Sequence, residues 1–427
     1  MMKPYSTAFF PLLALALAAV PAAGQVPSTA RALGMGGAYV ASARGQEAIF
    51  QNPANLGLAG SPEWSVALTQ LGVGTSLSGP RFADLPDLLN FDDIAQSRRD
   101  ELLARVPESG AEVAVDTRVP LFAMQTGRVG LAVSYGMTGA HTLGRDIVDL
   151  LLNGYQDGRT DYSVGNTAGW RASYLDFAAA YGRKVGPVSL GATGHYFHGR
   201  SVAHSRMFEP RFDLEAQDFS VDYVGVLAEG GRGWGVDLGA AVQPHRTLTL
   251  SAAVANAFTR MRWSDELHVR SVTLRGEDLR QLDEPFWIRE EYERSDTRLD
   301  PAAVPVRVYQ TALPLYREAY FPTTVRAGAA WAPLKGMEIG AAYQGNVTTG
   351  RMGGWWDRSV SVGVQQKLPL VRVRAGAATN LEEGTLLSGG VSLGPIQLGA
   401  ARLRDGTLRE GWIATFGIST RTRAELP

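Results

Sequence analysis

The sequence contains no cysteine. A chain without cysteine has no lipid anchor on a cysteine, no disulfide bond and no thiolate metal site. After residue 24 the sequence also lacks any run of about 18 apolar residues, which a membrane-spanning helix requires. Residues 25–427 therefore form either a water-soluble protein or a barrel of β-strands.

An excess of charge of one sign is also missing. The chain has 41 basic and 42 acidic residues, which gives a net charge of -1. This balance provides no overall attraction to nucleic acid, so we expect no nucleic-acid partner. The glycine-rich segment at 34–37 follows no predicted strand and no P-loop lysine accompanies it, which argues against phosphate binding. We expect no cofactor.

The first residues have the pattern of a secretory signal peptide. Lys3 precedes an apolar run at 9–20, and small residues at Ala22 and Gly24 suit a cleavage site before Gln25. We predict a signal peptide at 1–24. An uncleaved anchor helix is the less favoured alternative, because the run is short and a proline and small residues follow it.

Apolar residues alternate with small or polar residues in many short segments. From Val188, for example, apolar side chains recur at every second position while Ser189 and Thr193 lie on the other face, which is the period of a β-strand. About fourteen segments show this pattern, an even number as in bacterial outer-membrane barrels. They are 64–71, 120–125, 129–138, 172–184, 188–198, 233–243, 247–257, 323–331, 337–344, 358–367, 371–379, 386–393, 396–403 and 412–419.

The connections between these segments alternate between short and long. Tight turns are predicted at 126–128, 186–187, 244–246, 333–336, 368–370 and 394–395. Longer links are predicted at 72–118, 139–171, 199–232, 258–322, 345–357, 380–385 and 404–411. Outer-membrane barrels have short periplasmic turns and long extracellular loops. The sequence thus predicts an all-β transmembrane antiparallel barrel of about fourteen strands, with both termini periplasmic; a soluble β-sandwich is the alternative.

Some charged residues fall in the polar register of predicted strands and would face the lumen, where water or opposite charges solvate them. These lumen-facing candidates are Asp176, Arg326, Arg372 and Arg374. The long loops contain helical patterns at 85–106 and 146–152 and two further strand patterns at 269–274 and 306–311.

The segment after the signal peptide, 25–60, is rich in glycine and contains Asn-Pro. Glycine lets a backbone pack closely against a barrel wall, and Asn52 before Pro53 can bond to nearby backbone. We predict a separate N-terminal segment at 25–60, a barrel at 61–420 and a short periplasmic tail at 421–427. The residues expected to have a structural role in the N-terminal segment are Gly34, Gly36, Gly37, Asn52, Pro53 and Asn55.

This N-terminal segment resembles the long-chain fatty-acid transporter (FadL-like) superfamily of outer-membrane barrels, which includes the PorV-like barrels of gliding bacteria. The matching pattern is Gly-x-Gly-Gly-Ala from residue 34 and Asn-Pro-Ala-x-Leu from residue 52. Segments 102–110 and 235–241 resemble a branch of these barrels without an assigned function. The resemblance implies that 25–60 is a plug inside a fourteen-stranded barrel, and that its six residues named above have a structural or gating role. It also implies that hydrophobic substrates pass by way of the lumen and a gap in the wall.

The histidines offer little basis for catalysis or metal binding. His195 and His198 lie on opposite faces of a predicted strand, so they do not form a metal-binding pair. His195, His198 and His204 would lie near one rim with Ser201 and Ser205, but no nucleophile motif surrounds the serines. We predict no metal site and no enzymatic activity, and rank an outer-membrane hydrolase last.

Two functional hypotheses remain. The first is passive passage of a small hydrophobic compound through a barrel that contacts outer-membrane lipid. The second is a PorV-like secretion accessory, whose long loops would bind secreted proteins at the cell surface.

Overall fold

A computed structural model gives the fold of the chain. It describes residues 29–84, 86–87, 94–153, 159, 161–208, 211–213, 218–264, 266–275, 288–294, 305–352, 356–382, 384–406 and 409–422. The predicted signal peptide at 1–24, the first residues of the predicted plug at 25–28, part of the helical pattern at 85–106 and most of the predicted tail, 423–427, lie outside these residues.

The described residues contain seventeen β-strands in one sheet. The strands are β1 (Trp64–Ser78), β2 (Ala111–Thr126), β3 (Val129–Leu143), β4 (Ala168–Val185), β5 (Val188–Met207), β6 (Arg211–Asp213), β7 (Asp218–His245), β8 (Leu248–Trp263), β9 (Leu267–Arg275), β10 (Ile288–Arg294), β11 (Thr324–Trp331), β12 (Met337–Asn346), β13 (Arg358–Lys367), β14 (Val371–Thr379), β15 (Gly384–Leu393), β16 (Ile396–Asp405) and β17 (Arg409–Arg421).

The sheet closes on itself. The first strand pairs antiparallel with the last, from Ser65 opposite Arg421 to Ser78 opposite Arg409. Fourteen strands form the wall, because β6, β9 and β10 pair only with the outer part of β7 or with each other. Each of the fourteen predicted segments coincides with a wall strand, two of them starting one residue early, so the transmembrane antiparallel barrel is confirmed. A closed barrel leaves no unpaired strand edge, which is what a strand structure in a bilayer requires.

The two rims of the barrel differ as predicted. Turns of two to five residues join the strands at one end, which we name the short-turn rim, and both chain ends of the barrel lie there. The links at the other end, which we name the long-loop rim, are longer on average and contain the two largest insertions, 79–110 and 264–323. Several strands continue past their predicted ends toward this rim; β7 extends to Asp218, whereas the pattern began at 233.

Five α-helices occur in the described residues. They are α1 (Ala30–Gly34), α2 (Ala48–Gln51), α3 (Gln96–Arg105), α4 (Arg145–Asn153) and α5 (Val306–Arg317). None of the helices found there has the length and apolar character needed to cross a bilayer.

One predicted strand is wrong. Residues 306–311 belong to α5 and not to a strand, because the buried side chains recur at helical spacing. They are Val308, Thr311, Ala312 and Leu315. The alternation of Val306 and Val308 suggested a strand, but the apolar face continues with period 3.6 and packs inside the barrel against Val202 and Trp263. The patterns at 146–152 and 269–274 do form a helix and a strand.

The exterior of the wall is apolar. Large hydrophobic side chains along the strands are exposed, including Leu68 at 62 % and Leu190 at 52 %. Trp64 and Trp331 are exposed at the short-turn rim, and Trp412 near the opposite rim. Aromatic residues at both ends of an apolar band are typical of a surface that contacts membrane lipid.

The N-terminal segment fills the lumen near the short-turn rim. Nearly every residue from 29 to 58 is buried, and the backbone of this plug lies directly on glycines of the wall. A Cβ added at Gly376 would lie 2.2 Å from the backbone nitrogen of Gly36, and one at Gly363 would lie 2.4 Å from the Met35 carbonyl oxygen. These glycines are therefore required for the close approach of plug and wall.

Candidate functional site

A cavity lies inside the barrel above the plug, on the side of the long-loop rim. Its empty volume is about 630 Å³, part of which is open to solvent. Phe50 of the plug forms the floor, and Phe321 and Met352 of the inserted loops line it from the long-loop side. The remaining lining residues come from the wall and are Asp116, Arg118, Thr138, Tyr174, His195, Phe197, Asp237, Ala255, Asn256 and Arg326.

One side of the cavity is aromatic. The ring of Phe321 lies 4.5 Å from that of Phe197 and 5.0 Å, edge to face, from that of Tyr174. Such separations are favourable for aromatic pairs. Phe321 follows α5, whose apolar face packs on the inner wall, and the indole of Trp263 donates a 2.9 Å hydrogen bond to the carbonyl oxygen of Ala319. The loop is therefore anchored inside the barrel and positions the ring over the cavity.

The opposite side is charged. His195 Nδ1 lies 2.9 Å from Asp176 Oδ1, and His195 Nε2 lies 3.3 Å from Asp237 Oδ2 in an ion-pair contact rather than an aligned hydrogen bond. Arg118 donates to Asp176 Oδ2 over 3.2 Å. The imidazole thus bridges carboxylates from β4 and β7. Buried charges need such partners, because an isolated charge removed from water is strongly unfavourable.

Two arginines flank the floor. Arg118 lies over the ring of Phe50 with its guanidinium carbon 5.9 Å from the centroid. Arg326 donates to the carbonyl oxygen of Phe50 over 3.0 Å and to Gln344 Oε1 over 3.2 Å. These contacts connect the charged side of the cavity directly to the plug.

A bulge in β8 lies beside Asp237, which faces this cavity from β7. Val236 pairs with Phe258, but Leu238 pairs with Val254, so β8 has two extra residues opposite Asp237. Asn256 in this bulge has a φ of 51°, and its backbone N–H donates to Asp237 Oδ1 over 2.7 Å. A left-handed non-glycine residue costs conformational energy, and bulges that redirect side chains are common beside functional sites.

The wall is irregular on the other side of Phe50. Pairing of β1 with β2 stops after Ala67 opposite Ala123 and resumes at Val73 opposite Thr117. Both strands also shift register with their outer neighbours here, and β2 contains Pro120, which has no N–H to donate. Gln70 in the interruption is buried and its amide has no hydrogen-bond partner in the described part of the chain. We name residues 68–72 and 118–122 the wall interruption.

The predicted plug residues connect the plug to the wall. Asn52 caps the short 3-10 helix Pro53–Gly57, because its Oδ1 accepts a hydrogen bond from the N–H of Ala54. Its Nδ2 donates to the carbonyl oxygens of Ala240 and Ala252 in the wall. Asn55 donates to plug carbonyls and accepts from Ser251. Gly36 and Gly37 have positive φ of 65° and 88°.

An ion pair holds the plug together from within. Arg31 Nη1 and Tyr39 Oη each lie 2.8 Å from Glu47 Oε2, and the Glu47 side chain is fully buried. Burial disfavours the charged carboxylate, but the charge of Arg31 and the hydrogen bonds from Tyr39 and Arg31 outweigh burial and lower the pKa of Glu47. Burial and the charge of Glu47 raise the pKa of Tyr39 to about 12.

The four predicted lumen residues lie in two separate places. Asp176 and Arg326 are at the cavity, as described above. Arg374 is buried against Gly34 of the plug and donates to Ser392 over 2.8 Å, and Arg372 is half-buried on the same strand. The charges of Arg372 and Arg374 act on Arg31 and Glu47 rather than on the cavity.

Replacing Glu47 with alanine is expected to destabilise the packed plug by about 3–5 kcal/mol, because Arg31 would stay buried without its partner. Acid should have the same effect. The folded-state pKa is lowered, so the stabilisation is complete above about pH 4.3, the unfolded pKa, and is lost as the pH falls through the folded pKa. A cysteine at Ala43, which is fully buried, would report plug release by maleimide labelling.

The matched control is Glu63→Ala, since Glu63 is exposed just outside the plug. Labelling at neutral pH should be fast in the Glu47→Ala variant and slow in the control. Equal labelling of the two variants would show that the ion pair does not hold the plug in place.

Several cavity residues escaped the sequence analysis. Asp116 and Arg118 were assigned to a loop because β2 begins at Ala111, nine residues before its predicted start. Asp237 alternates with Val236 and Leu238 along β7, so the period of the strand places its side chain on the polar, lumen-facing side. The three histidines considered for a hydrolase lie in different places. His195 is buried in the lumen, His198 is on the exterior, and His204 Nδ1 contacts the Thr311 carbonyl oxygen.

Comparisons with known proteins give structural neighbours only. No family model matches the chain, and no curated protein matches it in sequence. The toluene transporter TbuX of Ralstonia pickettii is 16 % identical with a TM-score of 0.52, and the match covers 93 % of this chain and 98 % of that one. The chain has a FadL-like fold. The predicted resemblance to FadL-like barrels is therefore confirmed for the fold.

Two further barrels match over similar lengths. The CymD monoaromatic hydrocarbon channel is 13 % identical, with a TM-score of 0.53 and coverage of 94 % and 98 %. The toluene transporter TodX of P. putida is 11 % identical, with a TM-score of 0.52 and coverage of 94 % and 99 %. The FadL-like chain thus shares the closed β-barrel fold of these proteins. These neighbours are transporters or channels by name and lend no support to the secretion-accessory hypothesis.

Proposed function

We propose that this FadL-like barrel is a passive channel for small hydrophobic compounds, which bind in the cavity above the plug. The observation that carries the proposal is the aromatic half of this cavity, where Tyr174, Phe197 and Phe321 meet inside a barrel whose lower lumen is filled. Ligand pockets are commonly concave and combine aromatic side chains with a small number of polar groups. The toluene transporters of the same fold support the same ligand class.

The wall interruption supplies a route out of the cavity. Arg118 belongs to both the cavity and the wall interruption, since it lines the cavity and lies in the part of β2 that does not pair with β1. A hydrophobic ligand that leaves sideways enters hydrocarbon and avoids the plug. The plug would then act as a floor that directs ligand to the wall, and both termini would lie on the periplasmic side, with the long loops outside the cell. The proposed role is transport and includes no chemical step.

Filling the cavity should abolish the activity. Ala255 lines the cavity and is 6 % exposed, so phenylalanine at this position would occupy ligand space. Cells that produce the Ala255→Phe barrel are expected to take up labelled toluene no faster than cells without the barrel. Cells with the unaltered barrel should take it up faster.

The control is Ala192→Phe, which adds the same ring on the lipid-facing side of β5. This variant should keep normal uptake. Uptake that is the same with and without the unaltered barrel, across several small hydrocarbons, would refute the proposed function.

A further inference from the structure

The cavity is unusual for a hydrocarbon site because five of its thirteen lining residues have acidic or basic side chains. Asp116, Asp237, Arg118, Arg326 and His195 all contribute to it. A hydrocarbon in this space would displace water from the charged side and offer no hydrogen bond in return. Sites built with buried polar groups discriminate strongly against ligands that leave those groups without partners.

The signs of the charges restrict the ligand further. The lining has two carboxylates and two guanidiniums, and a third carboxylate, Asp176, contacts both Arg118 and His195. An anion would be repelled by the carboxylates, and a cation by the arginines and a protonated imidazole. A neutral group that both donates and accepts hydrogen bonds meets neither repulsion. A hydroxyl group is the smallest group of this kind.

Asp237 is the acceptor best placed for such a hydroxyl. It lies in the lumen-facing register of β7, and its Oδ1 already accepts the N–H of Asn256 in the bulge of β8. A carboxylate has about four lone-pair sites, so Asp237 retains acceptor capacity beyond its contacts with Asn256 and His195. The aromatic rings of Phe197 and Phe321 lie in the same cavity.

We infer that the ligand is a monoaromatic compound carrying a hydroxyl group, with its ring among Tyr174, Phe197 and Phe321 and its hydroxyl donated to Asp237. This inference rests on the proposed function, since it names the ligand class of the same cavity. Asp237 is then the residue that determines specificity. The strained backbone at Asn256 is explained as the support that holds the Asp237 carboxylate in position.

The test compares three probes of similar size with the purified full-length barrel in detergent. The probes are p-cresol, toluene and p-toluate, which carry a hydroxyl, no polar group and a carboxylate. Binding is measured by calorimetry, with the Ala255→Phe barrel as the reference for partition into detergent. We expect p-cresol to bind at least about tenfold more tightly than toluene, the effect of one hydrogen bond to a charged group.

The Asp237→Asn barrel should lose most of this preference while still binding toluene. Its control is Glu229→Gln, which removes an exposed carboxylate from the same strand outside the cavity lining. The control should keep the preference for p-cresol. The electrophoretic mobility of each variant, compared between unheated and heated samples, shows whether the barrel is folded.

The outcomes separate the inference from the proposed function. Three results would overturn the inference without contradicting a hydrophobic-ligand channel. They are equal binding of toluene and p-cresol, tightest binding of p-toluate, and an unchanged preference for p-cresol in the Asp237→Asn barrel. Binding of all three probes that equals that of Ala255→Phe would instead remove the proposed function itself.

Discussion

Closing the wall interruption with a covalent bond is expected to stop hydrocarbon uptake. Leu68 and Phe122 would face each other if the pairing of Ala67 with Ala123 continued by one step, and both side chains are exposed to lipid. The chain has no cysteine, so Leu68→Cys with Phe122→Cys introduces the only thiols. Oxidation joins them where the Cα atoms approach to within about 7 Å, and a short bifunctional maleimide joins them at larger separations.

The reason for the large expected effect is that β1 and β2 would be unable to separate where ligand leaves the lumen. Uptake of toluene should fall to the level of cells without the barrel, and reduction of the disulfide should restore it. The control pair is Val73→Cys with Thr117→Cys, which lies where the strands are already paired. Normal uptake by the cross-linked barrel would show that ligand leaves by another route, most simply past the plug.

Removing the plug is expected to convert a closed barrel into an open pore. Deletion of 29–58, with residues 1–28 kept, empties the lower lumen and exposes the wall glycines that now contact plug backbone. Small side chains leave a wide water-filled passage when nothing packs on them. In planar bilayers the unaltered barrel should show little steady ion conductance, and the shortened barrel a large and constant one.

A single methyl group should produce part of the same effect. Alanine at Gly376 would place its Cβ 2.2 Å from the Gly36 nitrogen, so the plug must shift, at a cost typical of overpacking, about 1–3 kcal/mol. Gly389→Ala on the adjacent strand is the control, because the nearest atom to its Cβ is 3.8 Å away. Brief openings are expected for Gly376→Ala alone. If the deleted barrel remains non-conducting, the inserted loops rather than the plug close the lumen.

Much of the architecture followed from local pattern. Alternation in segments such as 188–198 reports which face of a strand meets hydrocarbon, and each segment carries that information by itself. Turn residues fix where strands reverse, so the alternation of short and long links was also visible. The pattern failed where elements rise above the bilayer: the outer parts of β5 and β7 contact other protein, and their two faces no longer differ as lipid and lumen do.

The candidate site was only partly accessible to sequence. The polar register placed Asp176 and Arg326 inside the barrel, but it could not show that they approach the same cavity. Their proximity depends on the pairing register of many strands around a closed cylinder. It also depends on the plug, because Arg326 contacts Phe50, a residue 276 positions earlier in the chain.

The sequence by itself determined that strands alternate, that the barrel exterior is apolar and that a glycine-rich segment precedes the barrel, since these properties depend on neighbouring residues along the chain. Only the tertiary structure decided where charge and aromatic rings meet, how a bulge in β8 brings the Asn256 N–H to the Asp237 carboxylate and where β1 separates from β2. Those features arise from register shifts and from a loop helix folded inward, which are contacts between residues far apart in sequence.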